Sequence, residues 1–238
     1  MRMRKKKHAD ERILKVSHLL ISRPEDVQDR ICQERGRFFG QMDTSGAADP
    51  HSFFPADRSA FPVCLEIGCG KGDFICRMAS EHPEYNYIAM EMVADVACLA
   101  MEKAESQKET RPDNLRFLIG NARHLLGYFL PRSFDTIFLN FSDPWPQKGY
   151  AKRRLTHTLF LNLYRELLIP GGLLKFKTDN ADLFEFSRQE FENNHLVIEF
   201  FTHDLHQSEK ADENIETEYE RNFSAKGFPI HSAWVRFS

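Results

Sequence analysis

The chain has 238 residues, 42% of them hydrophobic and 28% charged, with a formal net charge of −3. That length and composition fit one large or two small globular domains and exclude a disordered or fibrous protein. The near-neutral balance argues against a protein that binds nucleic acid over its whole surface and leaves room only for local basic patches.

Residues 1–34 are polar and charged apart from Leu19-Leu20-Ile21, and they open on Met1–Lys7, which holds five cations and no acid. No apolar run follows that start, so no secretory signal is expected, and no stretch reaches the length of a membrane span. Residues 35–60 mix glycines, prolines, serines and acids and read as a linker or mobile loop. The expected organisation is therefore a basic N-terminal arm and flexible loop over 1–60, then a regularly patterned domain over 61–238.

From Phe61 a regular pattern begins. Val63–Ile67 reads as a strand, residues 68–72 as a glycine turn and Asp73–Ser80 as a helix. Tyr87–Met90 is a second strand, 93–107 a helix, Leu115–Ile119 a third strand and Arg123–Phe129 a short helix. Thr136–Phe141 is a fourth strand, and Pro144 forces the chain out of the sheet. A helix marked by Leu159, Phe160, Leu163, Tyr164 and Leu167 stops at Pro170-Gly171-Gly172. Leu173–Lys177, a helix around Leu183–Phe191, and strands at Val197–Phe201 and Ala233–Phe237 complete the pattern. The alternation predicts parallel β-α-β units wound on both faces of one sheet, with the last two strands free to pair antiparallel.

Acids and an amide fall at the ends of successive strands, the edge at which open α/β sheets bind ligands. Glu66 precedes Gly68-Cys69-Gly70-Lys71-Gly72, Glu91 ends the second strand, Asn121 follows the third and Asp143 the fourth. The loop departs from a dinucleotide fingerprint, because the sixth position counted from Gly68 is Asp73 instead of glycine. Two carboxylates there disfavour a diphosphate and suit a ligand bearing an ammonium and a sulfonium, as S-adenosylmethionine does. Glu91 is placed to accept from ribose hydroxyls, which a nicotinamide cofactor would also offer. Asn121 is placed to read an adenine edge; taken singly each of these residues could be a helix N-cap or a surface polar group, but their recurrence at successive strand ends favours a ligand site.

The five cysteines form no C-x-x-C pair and no Cys/His group has zinc spacing, so no metal site is expected. Free thiols fit a reducing cytosol, and the expected location is cytoplasmic.

Asn140-Phe141-Ser142-Asp143-Pro144-Trp145-Pro146, followed by Lys152-Arg153-Arg154-Leu155, resembles the signature of the tRNA (guanine-N7-)-methyltransferases. So do Leu65–Gly72, Phe176-Lys177-Thr178-Asp179-Asn180 and Thr217-Glu218-Tyr219-Glu220. The resemblance covers nearly the whole chain except about 35–60. It implies a Rossmann-like class I methyltransferase fold: α/β, doubly wound, with a mostly parallel seven-stranded sheet and an antiparallel last strand. It implies S-adenosylmethionine as methyl donor, contacted by Glu66, Gly68, Gly70, Glu91, Asn121 and Asp143, and tRNA as partner. Asp143 would be catalytic, and Gln147, Lys148, Asp179, Thr217, Glu218, Tyr219 and Glu220 would contact substrate. The usual target in the family is guanine 46 of the variable loop, and a monomer or homodimer is expected. The chain departs from the pattern at Gln147, where the family often has lysine and where lysine comes one residue later, and at Gly149, where arginine is common.

Trp145 and Tyr219 are candidates to stack on the base, with packing beneath the turn an equal alternative for Trp145. Arg2, Arg4, Lys5–Lys7 and Lys152–Arg154 would hold phosphates. Two rivals remain at this point: a methyltransferase for a small molecule or protein, and a non-catalytic RNA-binding relative. A nicotinamide dehydrogenase is disfavoured by Asp73.

Overall fold

A computed structural model describes residues 9–21, 46–107, 109 and 113–237. Met1–Lys7, Cys32 and the first part of the 35–60 segment lie outside the described residues.

Seven strands form one sheet in the order β3-β2-β1-β4-β5-β7-β6. They are β1 (Val63–Ile67), β2 (Asn86–Glu91), β3 (Leu115–Ile119), β4 (Phe134–Asn140), β5 (Leu168–Thr178), β6 (Val197–Thr202) and β7 (His231–Arg236). The first five pair in parallel, whereas β7 runs antiparallel to both β5 and β6. Strand order reverses between β1 and β4, so the crevice beyond their carboxyl ends is the switch point where such sheets bind ligands. β1 is buried at every position, as a central strand covered on both faces must be.

The helices are α1 (Ala9–Lys15), α2 (Asp73–Glu81), α3 (Ala94–Ser106), α4 (Leu125–Tyr128), α5 (Thr158–Leu167), α6 (Ala181–Asn193) and α7 (Glu218–Ser224). On one face, Phe74 and Ile75 of α2 join Ala97 and Met101 of α3 in a core with Tyr87 and Phe117. On the other, Phe160 and Tyr164 of α5 and Phe184 and Phe191 of α6 pack on Ile137, Leu174 and Phe176. Burying a side chain of this size contributes about 1.5–3 kcal/mol, so these two layers hold the strand tips in place.

The structure differs from the sequence expectations at four points. The N-terminal segment is not wholly an arm: Ile13, Val16 and Leu19 are buried against the α3 layer, and Leu20 bridges Phe117 of β3. Residues 46–60, expected to be loop, hold two 3-10 turns, because Phe53 and Phe54 have apolar surface to bury and Phe53 packs edge-on to Phe129 at 6.5 Å. β5 starts at Leu168, directly after α5, because Pro170-Gly171-Gly172 is taken up as an irregularity within the strand. Gly171 supplies the required positive φ of 81° there, and its N–H donates to the Phe237 carbonyl. Finally, α7 lies between β6 and β7, where no helix was expected.

Candidate active site

The loop after β1 turns on Gly68, Gly70 and Gly72, all with positive φ. The N–H groups of Gly68 and Cys69 both donate to the Met90 carbonyl, which ties the loop to the end of β2. Gly72 also lets α2 approach α3, since a Cβ there would lie 2.8 Å from the Ala100 Cβ.

Glu66, at the end of β1, is 2% exposed. Its Oε1 accepts from Asn140 Nδ2 at 2.8 Å, while its buried Oε2 has no partner. Burial pushes its carboxyl up to about 7, although the Asn140 hydrogen bond and the Lys177 charge act in the opposite direction. A buried, half-satisfied carboxylate of this kind is poised for a cationic donor group.

Glu91, at the end of β2, accepts three backbone hydrogen bonds. Oε2 takes Gly70 N at 3.1 Å, and Oε1 takes Met92 N at 2.8 Å and Val93 N at 2.9 Å. Burial raises its carboxyl, and nearby Asp143 adds to the rise. With two acceptor sites per oxygen, Oε2 retains capacity for a hydroxyl donor. Asn121 uses its Oδ1 to cap the turn that follows, accepting from Arg123 N at 3.1 Å, which leaves its Nδ2 donor for a ligand.

β4 ends one residue earlier than expected. Phe141 adopts φ 54°, a left-handed conformation that is costly for a bulky residue and turns the chain out of the sheet before Pro144 does. Its N–H donates to the Lys177 carbonyl and its ring meets Tyr219 at 5.0 Å. Asp143 follows in an exposed position.

Two adjoining cavities collect these residues. One, of about 500 Å³, is lined by Gly68, Glu91, Asn121, Phe141, Asp143 and Trp145. The other, of about 350 Å³, is lined by Glu66, Gly70, Phe141 and Thr217–Tyr219. Gly68 and Phe141 border both, so the strand-end residues line two neighbouring cavities that share a wall and together form the cleft.

Asp179 lines neither cavity but lies next to one, where the Tyr219 hydroxyl donates to its Oδ2 at 3.3 Å. Glu218 reaches across to Lys71 of the glycine loop at 3.4 Å. The structure does not bring Gln147 and Lys148 to either cavity; both are exposed at the start of a 3-10 turn spanning Lys148–Arg153. Glu220 is also not at the cleft. It is fully buried, and its carboxylate accepts from Lys177, Asn214, His206 and Thr217. Thr217 and Glu220 form a capping box at the start of α7, with Glu220 N donating to Thr217 Oγ1 at 2.9 Å. The T-x-x-E spacing carries that signal in the sequence.

Two further expectations change. Asp73 does not offer a free carboxylate, because Lys103 binds one oxygen at 3.0 Å and Arg221 the other at 2.6 Å. Of the three cations at 152–154, Arg154 turns inward. It donates to the carbonyls of Pro144 (2.9 Å) and Trp145 (3.1 Å) and stacks over Phe186, clamping the loop that carries Asp143. Arg153 lies over the Trp145 and Tyr150 rings, and Trp145 is half-buried beneath it. Tyr219 stacks on Phe223 at 4.3 Å, so one face of its ring is taken. Among the described residues there is no group of three or more His, Cys, Asp or Glu able to hold a metal ion, and no helix long and apolar enough to cross a membrane.

Comparison with known proteins gives the family. A family model described as "Putative methyltransferase" matches residues 60–233. The tRNA (guanine-N(7)-)-methyltransferase of Limosilactobacillus reuteri is 39% identical over 237 residues, covering 100% of both chains. That of Bacillus licheniformis is 40% identical over 231 residues, covering 97% of this chain and 96% of its own. Among solved structures, a SAM-dependent methyltransferase from Aquifex aeolicus aligns with a TM-score of 0.51 at 11% identity, over 96% of this chain and 98% of that one, which shows the fold alone. With identity of this order over the full length and a methyltransferase family model over most of the chain, the chain belongs to the tRNA (guanine-N7-)-methyltransferase family.

Proposed function

We propose that this chain transfers a methyl group from S-adenosylmethionine to N7 of a guanine in tRNA, at position 46 of the variable loop. The observation that carries the reading is a pair of neighbouring cavities, one bordered by a buried carboxylate oxygen of Glu66 without a partner and the other by the exposed carboxylate of Asp143, on the two sides of a shared wall of Gly68 and Phe141. The residues fit the donor. Glu66 Oε2 suits its ammonium group, the remaining acceptor capacity of Glu91 suits ribose hydroxyls, and Asn121 Nδ2 suits an adenine nitrogen. When bound, the donor supplies an electrophilic sulfonium methyl group.

Guanine N7 carries an in-plane lone pair, so no proton must leave before attack and no general base is required. The protein's contribution is alignment, which can supply about 7–11 kcal/mol of barrier reduction. The base becomes cationic as the methyl arrives. Asp143, with no hydrogen-bond partner among the described residues, offers its charge to that cation more fully in the transition state than before it. Asp179 accepts from Tyr219 and keeps acceptor capacity for the guanine N1–H and 2-amino group, a donor pair that adenine lacks. Lys152 and Arg153 are exposed beside the cleft and serve as phosphate contacts, together with the basic run Met1–Lys7.

The test is nucleoside analysis by mass spectrometry of unmodified tRNA incubated with the protein and S-adenosylmethionine. 7-Methylguanosine is expected with the wild-type chain and none with a folded Asp143→Ala variant. Methylation of a peptide or free nucleotide with none of tRNA would overturn the assignment.

A further inference from the structure

Thr217–Tyr219 line the cleft, yet they belong to a long excursion between β6 and β7 with little regular structure. Its contacts with the glycine loop and α2 are exposed or partly exposed: Glu218 to Lys71 at 3.4 Å and Arg221 to Asp73 at 2.6 Å. Exposed pairs of this kind hold a segment weakly. Beside the apolar packing of Ile215 and Leu205, its buried polar anchor is Lys177 of β5, two residues before Asp179.

Lys177 is 6% exposed and stands opposite Asn140 in the sheet. Its ammonium donates all three hydrogens into the excursion: to Asn214 Oδ1 at 2.8 Å, to the Ile215 carbonyl at 2.8 Å and to Glu220 Oε2 at 2.7 Å. Glu220 is fully buried and takes His206 Nε2 (2.8 Å) and Asn214 Nδ2 (2.6 Å) on its other oxygen. Burial alone would raise its carboxyl, but Lys177, His206 and Asn214 outweigh burial and hold it below the ordinary range. The carboxylate in turn closes the capping box that starts α7 and sets Thr217, Glu218 and Tyr219 at the cleft. A buried charge of this kind is stable only while its partner remains.

We propose that Lys177 is a positioning residue for the RNA end of the site, holding Thr217–Tyr219 at the cleft through Glu220 without touching tRNA itself. This rests on the tRNA reading above. It assigns Glu220, expected from the family resemblance to meet the substrate, to an internal support.

The experiment compares wild type, Lys177→Met and Lys177→Met/Glu220→Gln. It measures KM for tRNA, Kd for S-adenosylmethionine by calorimetry and the melting temperature, each across alkaline pH, because loss of the Lys177 charge raises the Glu66 carboxyl and the donor Kd is compared on its high-pH plateau. Lys177→Met strands the Glu220 charge and is expected to raise tRNA KM at least fivefold while donor Kd moves less than threefold. The double variant strands no charge. It is expected to regain melting temperature yet keep the raised KM, because Asn214 and Ile215 still lack their donor. A purely structural role predicts that KM recovers with stability. If the single variant does not fold, the double variant carries the test. A tRNA KM within twofold of wild type in a folded variant would overturn the inference while leaving the function intact. A wild-type chain that does not methylate tRNA would instead sink the functional reading and the inference with it.

Discussion

Replacing Glu66 with glutamine tests whether burial of this carboxylate is held in reserve for the methyl donor. In the folded chain, burial moves its carboxyl from 4.5 to about 7. Between those two values the unfolded chain gives up the proton while the folded chain keeps it. Glu66 therefore favours the folded state below this window, and that contribution is lost as pH rises through it. Each pH unit crossed inside the window removes about 1.36 kcal/mol. The loss between pH 5 and pH 8 thus amounts to about 2–3 kcal/mol, or roughly 5–10 °C in melting temperature for a chain of this size. Glutamine has the same shape and no proton to release. The melting-temperature advantage of Glu66→Gln over wild type, followed by circular dichroism without donor, is therefore expected to grow by that amount from pH 5 to pH 8. The donor's ammonium would bind the ionised form, so wild-type donor affinity is expected to weaken about tenfold from pH 8 to pH 6, while the glutamine variant stays flat and weak. An equal melting-temperature gap at both pH values would refute the reasoning, because Glu66 would then already be solvated or paired.

Arg154→Ala removes both donors that hold the Pro144 and Trp145 carbonyls. At about 1.5–3 kcal/mol for a charged hydrogen bond, it is expected to lower kcat at least tenfold in single-turnover assays by releasing Asp143. Lys152→Ala, at an exposed position, is instead expected to reduce the slope of log affinity against log salt by about 0.7–0.9. Asp143→Asn keeps the side chain's size and is expected to cut the methyl-transfer rate about 10²–10³-fold with donor binding little changed; a fall below threefold would remove Asp143 from the reaction. Gly72→Ala meets both a φ of 77° and the Ala100 Cβ. It is expected to destabilise the fold by about 2–5 kcal/mol in urea titration.

Much of the cleft was legible before any tertiary contact was known. Hydrophobic runs of strand length, each ending in an acid or amide, placed Glu66, Glu91, Asn121 and Asp143 along one sheet edge, and the structure brings all four to the cleft. Strand and helix positions held to within a few residues, apart from β5, where a proline and two glycines looked like an end and proved to be an irregularity within the strand. α7 was missed because its seven residues span two turns and show little periodicity; only the capping-box spacing of Thr217 and Glu220 marked it.

Side-chain partners were a different matter. Asp73 looked free for a ligand, yet Arg221, 148 positions away, occupies it. Glu220 looked like a substrate contact, yet Lys177 and His206 bury it in an internal network. Arg154 looked like a phosphate contact, yet it secures the loop ten residues before it. The reason is physical. Periodicity and turn chemistry act between neighbours along the chain, so the amino-acid order alone settled the strand–helix alternation and which residues stand at strand ends. A charge chooses its partner by distance and dielectric, and only the folded packing brings residues far apart in the chain within about 3 Å in a buried setting. Tertiary structure therefore decided which carboxylates stay free for ligands and which hold the protein together.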